Sequence, residues 1–288
     1  MDVPKDFQNR LEEFIASALR EDIGDGDHST LACIDPDAKG KAVLKIKDNG
    51  ILAGVDIAEK IFQFLEPTAV VTKFLHDGDS VTFGQEAFGV SAKISTILSC
   101  ERLVLNCMQR MCGIATLTKK YTEKLKGYNT KLLDTRKTTP NFRLLEKEAV
   151  KIGGAFNHRF GLYDMIILKD NHIDFCGGII NAIDAAYEYV RRKNIGLKIE
   201  VEARSLDDVE KVIRNGKADR IMLDNFSPEK LREAMKMING KFETEASGGI
   251  TFDNIEDYAA TGVDFISSGA IIHQATSLDL SLKAELAQ

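Results

Sequence analysis

The chain beyond residue 127 alternates short apolar runs with segments of helical periodicity. Six of these runs end in polar residues, and they are KLLDTR, MIILKD, LKIEVEA, RIMLDN, FETEASGG and DFISSGA. Their ends recur about every 22 to 34 residues, which is typical of consecutive strand and helix units. Helix-start signals lie between the runs, with Ser205 three positions before Asp208, and Ser227 directly before Pro228. We therefore predict an α/β fold, an incomplete parallel α/β barrel.

The chain up to residue 127 has a different pattern. Apolar positions at helical spacing in residues 5–20 predict an amphipathic helix. Alternation over residues 41–52, with an Asn-Gly pair, predicts a β-hairpin, and residues 70–90 predict two more short strands. A long helical pattern over residues 94–127 is predicted to break at Gly113.

These patterns divide the chain into two predicted domains. Residues 1–112 form an N-terminal α+β sandwich domain with the long helix at its end, and residues 275–288 are candidates to join it. Residues 113–274 form the catalytic barrel.

Composition and charge restrict the class of partner. The formal net charge is −6 and no long run of like charges occurs, which argues against binding to nucleic acid or to an anionic membrane. The start of the chain lacks a signal-peptide pattern and no apolar run reaches membrane-spanning length. We expect a cytoplasmic protein with small-molecule partners. The five cysteines contain no CxxC pair and are expected to be buried, inert thiols.

Polar or flexible residues end every predicted strand of the barrel. They are Arg136, Lys137, Lys169, Asp170, Glu202, Asp224, Asn225, Ser247, Gly248, Gly249, Ser268 and Gly269. An ordinary surface turn would account for any one of them, but not for six successive strand ends. Because functional groups of parallel barrels gather at the carboxyl ends of the strands, we predict that these residues form one site.

The cations of this set predict an anion-binding pocket. Arg136 and Lys137, His158 and Arg159, and Lys169 are expected to converge at one mouth. Arginine binds carboxylate or phosphate through two parallel hydrogen bonds, whereas lysine acts as a mobile point charge, so the mixture indicates at least two kinds of anionic group. The alternative for His158 and Arg159 is a solvated loop.

The acids and glycines predict a sugar phosphate and a metal. Glu200 and Glu202 lie two positions apart on a strand, so both point to the mouth of the barrel. Glu202 and Asp224 could accept hydrogen bonds from sugar hydroxyls or hold Mg²⁺, and a structural ion pair is the alternative. The motifs ASGGIT and SSGA predict a phosphate-binding turn. No Walker A, GxGxxG, HExxH or GxSxG motif is present.

Several motifs resemble those of the quinolinate phosphoribosyltransferase family. Its members are type II phosphoribosyltransferases. They are EDIGDGDHST, AKISTILSCERLVLNCMQRMCGIAT, DTRKTTPNFR, GGAFNHRFGLYDMIILKDNHI, IEVEA, IMLDNF, EASGGIT and SLDLSLK. The resemblance implies transfer of phosphoribosyl from 5-phosphoribosyl-1-pyrophosphate to quinolinate with Mg²⁺ present. The implied products are nicotinate mononucleotide, pyrophosphate and CO₂, a step of NAD biosynthesis.

The resemblance also implies a role for each matching residue. Quinolinate would be bound by Arg136, His158, Arg159 and Lys169, with Arg102 reaching in from a neighbouring subunit. The phosphoribosyl donor would be bound by Lys137, Glu202, Asp224, Asn225, Ser247, Gly248, Gly249, Ser268 and Gly269. The implied catalytic residues are Lys137, Lys169, Glu202 and Asp224, of which Glu202 and Asp224 would hold the metal. A homodimer would be the minimum catalytic unit, with a hexamer as the larger alternative.

Three other functions stay open at this point. A nicotinate phosphoribosyltransferase would use a substrate with one carboxylate, and the set Arg136, Arg159 and Lys169 favours two. A Schiff-base aldolase would use Lys169 as its nucleophile and would form a borohydride-trappable adduct. A non-catalytic anion-binding barrel would bind its ligand without turnover.

Overall fold

A computed structural model describes residues 6–285, which form two compact units. The barrel unit contains residues 120–137 and 155–270. The sandwich unit contains the described residues up to 119, residues 138–154 and the described residues from 271. The predicted domain boundary at residue 112 falls inside a long helix. Residues 1–5 and 286–288 of the predicted domains lie outside the described part.

The helices are α1 (Phe7–Ile23), α2 (His28–Cys33), α3 (Val55–Leu65), α4 (Ile94–Lys124), α5 (Arg143–Ile152), α6 (Asp170–Phe175), α7 (Ile179–Lys193), α8 (Leu206–Asn215), α9 (Pro228–Ile238), α10 (Ile255–Ala259) and α11 (Ala270–His273). The strands are β1 (Lys39–Ile46), β2 (Gly50–Ile51), β3 (Val70–Lys73), β4 (Ser80–Val81), β5 (Glu86–Lys93), β6 (Lys131–Leu133), β7 (Ile166–Leu168), β8 (Ile199–Ala203), β9 (Arg220–Asp224), β10 (Glu243–Ser247), β11 (Phe265–Ser267) and β12 (Leu280–Glu285).

The barrel unit is built on a six-stranded parallel sheet in the order β6-β11-β10-β9-β8-β7. All six predicted strands are present. The edge strands β6 and β7 do not pair with each other, and Phe156 instead forms an isolated parallel bridge to Leu133. The α/β fold and the incomplete parallel barrel are therefore confirmed.

Local sequence explains the burial of the strands in this unit and the positions where its helices begin. All five residues of β8 are buried, as expected for a strand covered on both faces. The hydroxyl of Ser205 accepts a hydrogen bond from the backbone N–H of Asp208, and that of Ser227 accepts one from Lys230. Both predicted helix caps are confirmed, and they fix where α8 and α9 begin.

The sandwich unit contains an antiparallel sheet in the order β12-β1-β5-β3. The predicted hairpin over residues 41–52 is wrong, because β1 pairs with β5 and β12, whereas β2 pairs with β4 in a separate sheet. The side chain of Asn49 accepts a hydrogen bond from the backbone N–H of Phe83 at 3.0 Å. The Asn-Gly segment therefore connects strands of two different sheets. Pairing with strands distant in sequence overrides the local preference of this segment for a hairpin turn.

The predicted helix break at Gly113 is also wrong. Helix α4 is continuous over 31 residues. A Cβ atom at Gly113 would lie 2.1 Å from the carbonyl oxygen of Thr276, well inside van der Waals contact. Glycine is present because another segment of the backbone packs against the helix at this position, and its weak helix propensity is outweighed.

Two sequence expectations, about membrane-spanning segments and about thiols, can be compared with the structure. Within residues 6–285, no helix has the length and apolarity that a membrane crossing requires. The prediction of buried thiols is confirmed for Cys100, Cys107 and Cys112, where burial raises the thiol pKa to about 12. It is wrong for Cys33 and Cys176, which are exposed.

Asp77 makes the stability of the sandwich unit depend on pH. Its carboxylate accepts a hydrogen bond from the backbone N–H of Val55 at 2.8 Å. Burial, helped by the charge of Asp56 and opposed by the helix N–H groups, raises the pKa of Asp77 to about 6. The folded state therefore holds this proton more tightly than the unfolded state, and stability falls as pH rises from about 4 to 6.

We expect Asp77→Asn to raise the melting temperature at pH 8 and to change it much less at pH 4.5. The amide keeps an acceptor for Val55 and removes the buried charge, a gain of at most about 3 kcal/mol. Calorimetry at the two pH values measures the effect. An equal shift at both would show that the charge of Asp77 does not matter.

Candidate functional site

The carboxyl ends of the parallel strands surround a cavity of about 230 Å³. Its lining residues are Thr135, Arg136, Lys137, His158, Arg159, Ile167, Lys169, Met222, Glu245, Ser247 and Ser267. The five predicted cations thus line one cavity within the barrel unit, as the strand-end argument required. This convergence gives an otherwise acidic chain a concentrated positive site.

His158 and Arg159 belong to the interior of the unit. Only 6% of His158 and 7% of Arg159 are exposed, so the solvated-loop alternative is wrong. The buried carboxylate of Asp134 accepts hydrogen bonds from the backbone N–H of His158 at 2.8 Å and from the Asn157 amide at 2.7 Å. Arg159 Nη1 donates to the carbonyl of Met165 at 3.0 Å. These bonds hold the segment before β7 against the end of β6.

Arg136 and Arg159 bring two like charges close together in the cavity. Burial, and then the neighbouring charge of Arg136, lowers the pKa of Arg159. Arg136 Nε is buried and has no hydrogen-bond partner among the described residues. An unpaired buried donor is costly, and a bound anion would relieve both this cost and the repulsion between the two arginines.

The predicted acids lie on neighbouring strands beside Lys169. Glu202 Oε2 lies 3.1 Å from Lys169 Nζ, and its other oxygen accepts from the backbone N–H of Asp170 at 3.2 Å. Burial and the charge of Glu202 raise the pKa of Asp224. Two carboxylates that repel each other are a donor set that fits a hard cation such as Mg²⁺. Neither acid is among the lining residues of the cavity.

The predicted phosphate turn follows β10. Gly248 has φ 87° and Gly249 has φ 66°, conformations that favour glycine. A Cβ at Gly248 would lie 2.2 Å from the side-chain oxygen of Asn225, whereas a Cβ at Gly249 would meet open space. The backbone N–H of Asn225 donates to the carbonyl of Ser247 at 2.8 Å, which ties the ends of β9 and β10 together.

The remaining predicted residues lie away from the cavity lining. The backbone N–H of Ser268 donates to the carbonyl of Leu133 at 3.0 Å, so it is committed to the sheet. Gly269 follows it and is half-buried. Arg102 belongs to the sandwich unit and is exposed on α4.

A buried charged cluster near the cavity was missed in part by the sequence reasoning. His158 Nε2 lies 3.0 Å from Glu200 and 3.1 Å from Glu245, and both carboxylates are fully buried. Arg220 Nη1 lies 3.1 Å from Glu245. The alternation of β10, which places Glu245 on the same face as Ser247, is a signal that could have found this residue. Ser267 and Met222 carried no such signal.

The charges in this cluster are strongly coupled. Burial lowers the pKa of His158, but its hydrogen bonds to Glu200 and Glu245 outweigh burial and raise the pKa. Burial, and then the charge of Glu245, raises the pKa of Glu200. For Glu245, burial is outweighed by the bond and charge of His158, and its pKa is lowered.

Fold and site together define an α/β-barrel protein with five basic side chains converging on one cavity. A family model described as "Quinolinate phosphoribosyl transferase, C-terminal domain" matches residues 114–283, and the model of the N-terminal domain matches residues 27–112. The chain therefore belongs to the quinolinate phosphoribosyl transferase family.

Known relatives agree over nearly the whole length. The carboxylating nicotinate-nucleotide pyrophosphorylase of Arabidopsis thaliana chloroplasts is 42% identical over 96% of this chain and 83% of its own. The crystal structure of NadC from Streptococcus pyogenes superposes with a TM-score of 0.91 at 37% identity and covers 100% of both chains. The nicotinate-nucleotide pyrophosphorylase of Francisella tularensis gives a TM-score of 0.88 at 38% identity over 96% of each chain.

Proposed function

We propose that this chain is a decarboxylating quinolinate phosphoribosyltransferase of NAD biosynthesis. It transfers phosphoribosyl from 5-phosphoribosyl-1-pyrophosphate to quinolinate and releases pyrophosphate and CO₂. The observation that carries the proposal is the convergence of Arg136, Lys137, His158, Arg159 and Lys169 on one cavity, with a buried donor of Arg136 lacking a partner. Membership of the family and the names of its relatives support the same activity.

Quinolinate, the acceptor, carries two negative charges. The roles proposed for the basic residues follow from these two charges. Arg136, Arg159 and Lys169 bind the two carboxylates, and His158 belongs to the same wall of the cavity. Their fixed positions hold the pyridine nitrogen ready to attack the anomeric carbon of the donor. When CO₂ leaves, the electron pair of the broken bond stays on the ring carbon, which then takes up a proton.

The donor is proposed to bind beside Lys137. This lysine and Ser247 line the cavity, and the turn at Gly248 and Gly249 offers backbone N–H groups for phosphate, with Asn225, Ser268 and Gly269 nearby in sequence or on adjacent strand ends. The carboxylates of Glu202 and Asp224 stabilise the positive charge that grows on the ribose ring as the bond to pyrophosphate breaks.

Mg²⁺ is the proposed metal, and Glu202 and Asp224 would hold it directly or through water. Burial, and then the charge of Glu202, raises the pKa of Asp224, and a cation beside the two carboxylates would favour their charged forms. When bound, the ion would neutralise charge on the pyrophosphate leaving group.

The direct test is an assay of pyrophosphate and pyridine nucleotide formed from quinolinate and the donor, run beside nicotinate. Turnover of quinolinate with CO₂ release is expected. Nicotinate should be a poor substrate because one arginine would face no carboxylate. Preferential use of nicotinate would overturn the proposal, as would a covalent adduct at Lys169 trapped by borohydride. The ion pair of Lys169 with Glu202 opposes the Schiff-base alternative, because that chemistry needs the uncharged amine.

We expect Asp224→Asn to lower kcat by about 10-fold to 1,000-fold while the KM for quinolinate changes little. Charge on the ribose grows mainly in the transition state, so the lost carboxylate acts on kcat. Steady-state kinetics at saturating Mg²⁺ measures the split. Asp219→Asn is the control, because Asp219 lies directly before β9, at the opposite end of the strand from Asp224. A raised quinolinate KM with an intact kcat would contradict the role of Asp224.

The proposed assembly is a homodimer at minimum, with the hexamer as an open alternative. Arg102 is exposed on α4, a position from which it can serve the cavity of a partner chain. The proposed location is the cytoplasm, although the Arabidopsis relative is named as chloroplastic. We propose no nucleic-acid partner, since the net charge is −6.

A further inference from the structure

The roles above leave a buried acidic pair without a function. Glu200 on β8 and Glu245 on β10 are both fully buried, and both approach the same nitrogen, Nε2 of His158. Burying two carboxylates this close together is expensive, and a structure keeps such a pair where something depends on it. We call Glu200 and Glu245 the glutamate bracket.

The surroundings of the bracket show that it is directed at His158. Arg220, on the strand between the two glutamates, binds Glu245 at 3.1 Å and lies 4.0 Å from Glu200. Arg220 and His158 approach the same oxygen of Glu245, Oε2, so one buried cation already balances part of the acidic charge. The three ligand-type side chains His158, Glu200 and Glu245 lie close enough to hold a metal ion, but Arg220 already occupies the cationic position beside Glu245.

The other ring nitrogen of His158, Nδ1, contacts Arg159, the arginine proposed to bind the acceptor. The backbone N–H of Arg159 donates to His158 Nδ1 at 2.6 Å. Because Nδ1 is the acceptor in this bond, the bond opposes protonation of Nδ1. The two carboxylates near Nε2 act in the other direction, since they favour a positively charged ring. Nε2 carries a hydrogen in either state, because both of its neighbours are acceptors.

We propose that the glutamate bracket is a positioning device for acceptor recognition. Glu200 and Glu245 fix the ring of His158, and Nδ1 of this ring fixes the backbone of Arg159. The guanidinium of Arg159 is then held in the cavity by two anchors, this bond and its own bond to the carbonyl of Met165. The inference rests on the proposed function, since it assigns Arg159 to a carboxylate of quinolinate.

Glu245→Gln tests the bracket, because it keeps the size of the side chain and removes its charge. The KM for quinolinate is expected to rise by about 10-fold to 100-fold, while kcat changes less than about 3-fold and the KM for the donor stays the same. A purely structural role would lower the fraction of active enzyme and therefore kcat. An unchanged quinolinate KM would overturn the proposal.

Glu243→Gln is the matched control. Glu243 lies on the same strand and binds the same arginine, with Arg220 Nη2 at 3.2 Å, but it makes no contact with His158 in the described part of the chain. It should leave the quinolinate KM within about 2-fold of the wild-type value. A rise equal to that of Glu245→Gln would assign the effect to Arg220 and overturn the proposal.

A double-mutant cycle tests whether the bracket acts through Arg159. In an Arg159→Ala background, Glu245→Gln should raise the quinolinate KM by less than about 2-fold, because the group it positions is gone. Full additivity of the two effects would overturn the proposal. If the wild-type enzyme turned over the donor with nicotinate and not with quinolinate, the proposed function would fail first, and the bracket with it.

A spectroscopic readout does not depend on the folding of any variant. The chain has only five histidines, so the ring nitrogens of His158 can be assigned by ¹⁵N NMR. Nε2 is expected to carry hydrogen throughout pH 6 to 8. A ring that carries hydrogen on Nδ1 at these pH values, or a bound metal ion at Nε2 in the purified protein, would overturn the proposal, because a protonated Nδ1 cannot accept the bond from Arg159.

Discussion

Replacing Arg159 by alanine is expected to lower kcat/KM for quinolinate by about 30-fold to several thousand-fold, or about 2 to 5 kcal/mol. Arg159 is 7% exposed and lines a cavity with four other basic side chains. Its loss leaves a carboxylate of the substrate buried without a partner, which costs more than the bond itself contributes.

Steady-state kinetics with each substrate varied in turn separates this effect from general damage. The KM for the phosphoribosyl donor should change by less than about 3-fold, because Arg159 is proposed to serve only the acceptor. Arg214→Ala is a matched control, since Arg214 is an exposed residue on α8 that pairs with Glu210. A near-normal kcat/KM for quinolinate in Arg159→Ala would show that this arginine does not recognise the acceptor.

A mixture of two inactive variants is expected to recover activity. Arg102→Ala and Lys169→Ala should each lose nearly all activity as homodimers, because each lacks a cation of the proposed acceptor site. If Arg102 serves the partner's cavity, a mixed dimer has one site that contains both wild-type residues. Random exchange makes half of the dimers mixed, with one of two sites intact, so recovery should approach about a quarter of the wild-type rate.

Subunit exchange must be shown independently, for example by mass spectrometry of dimers in which one variant is isotopically labelled. Mixing Lys169→Ala with Lys169→Met is the negative control, because every dimer in that mixture lacks the lysine in both sites. Exchange without recovery would place Arg102 in the site of its own chain, or in no site.

The six barrel strands and their cations could be predicted because each apolar run ends in polar residues. β7 is apolar up to its last residue, Leu168, so Lys169 marks the point where the chain reaches the mouth. The convergence of these residues then follows from the geometry of a parallel sheet. Local caps such as Ser205 could be predicted for the same reason, since they depend only on nearby residues.

The failures came where distant parts of the chain decide the structure. The Asn-Gly pair predicts a hairpin locally, but the partners of β1 lie elsewhere in the sequence. The local sequence around Gly113 suggests a helix break. A glycine is instead required there because the backbone of Thr276 lies too close for a side chain. The His158 cluster needed knowledge of strand order, because Glu200 and Glu245 become neighbours only when β8, β9 and β10 are placed side by side.

The gap between β6 and β7 has a consequence for how specificity could evolve. The segment from Ala155 to Asp164 fills part of that gap through the bridge at Phe156, and it carries both His158 and Arg159. A closed barrel would present strand residues there, whose spacing is fixed by the sheet. A connecting segment can instead gain or lose residues without changing the order or pairing of the six strands. We therefore expect acceptor preference to diverge among such proteins by changes in the length of this segment, with the six strands left intact.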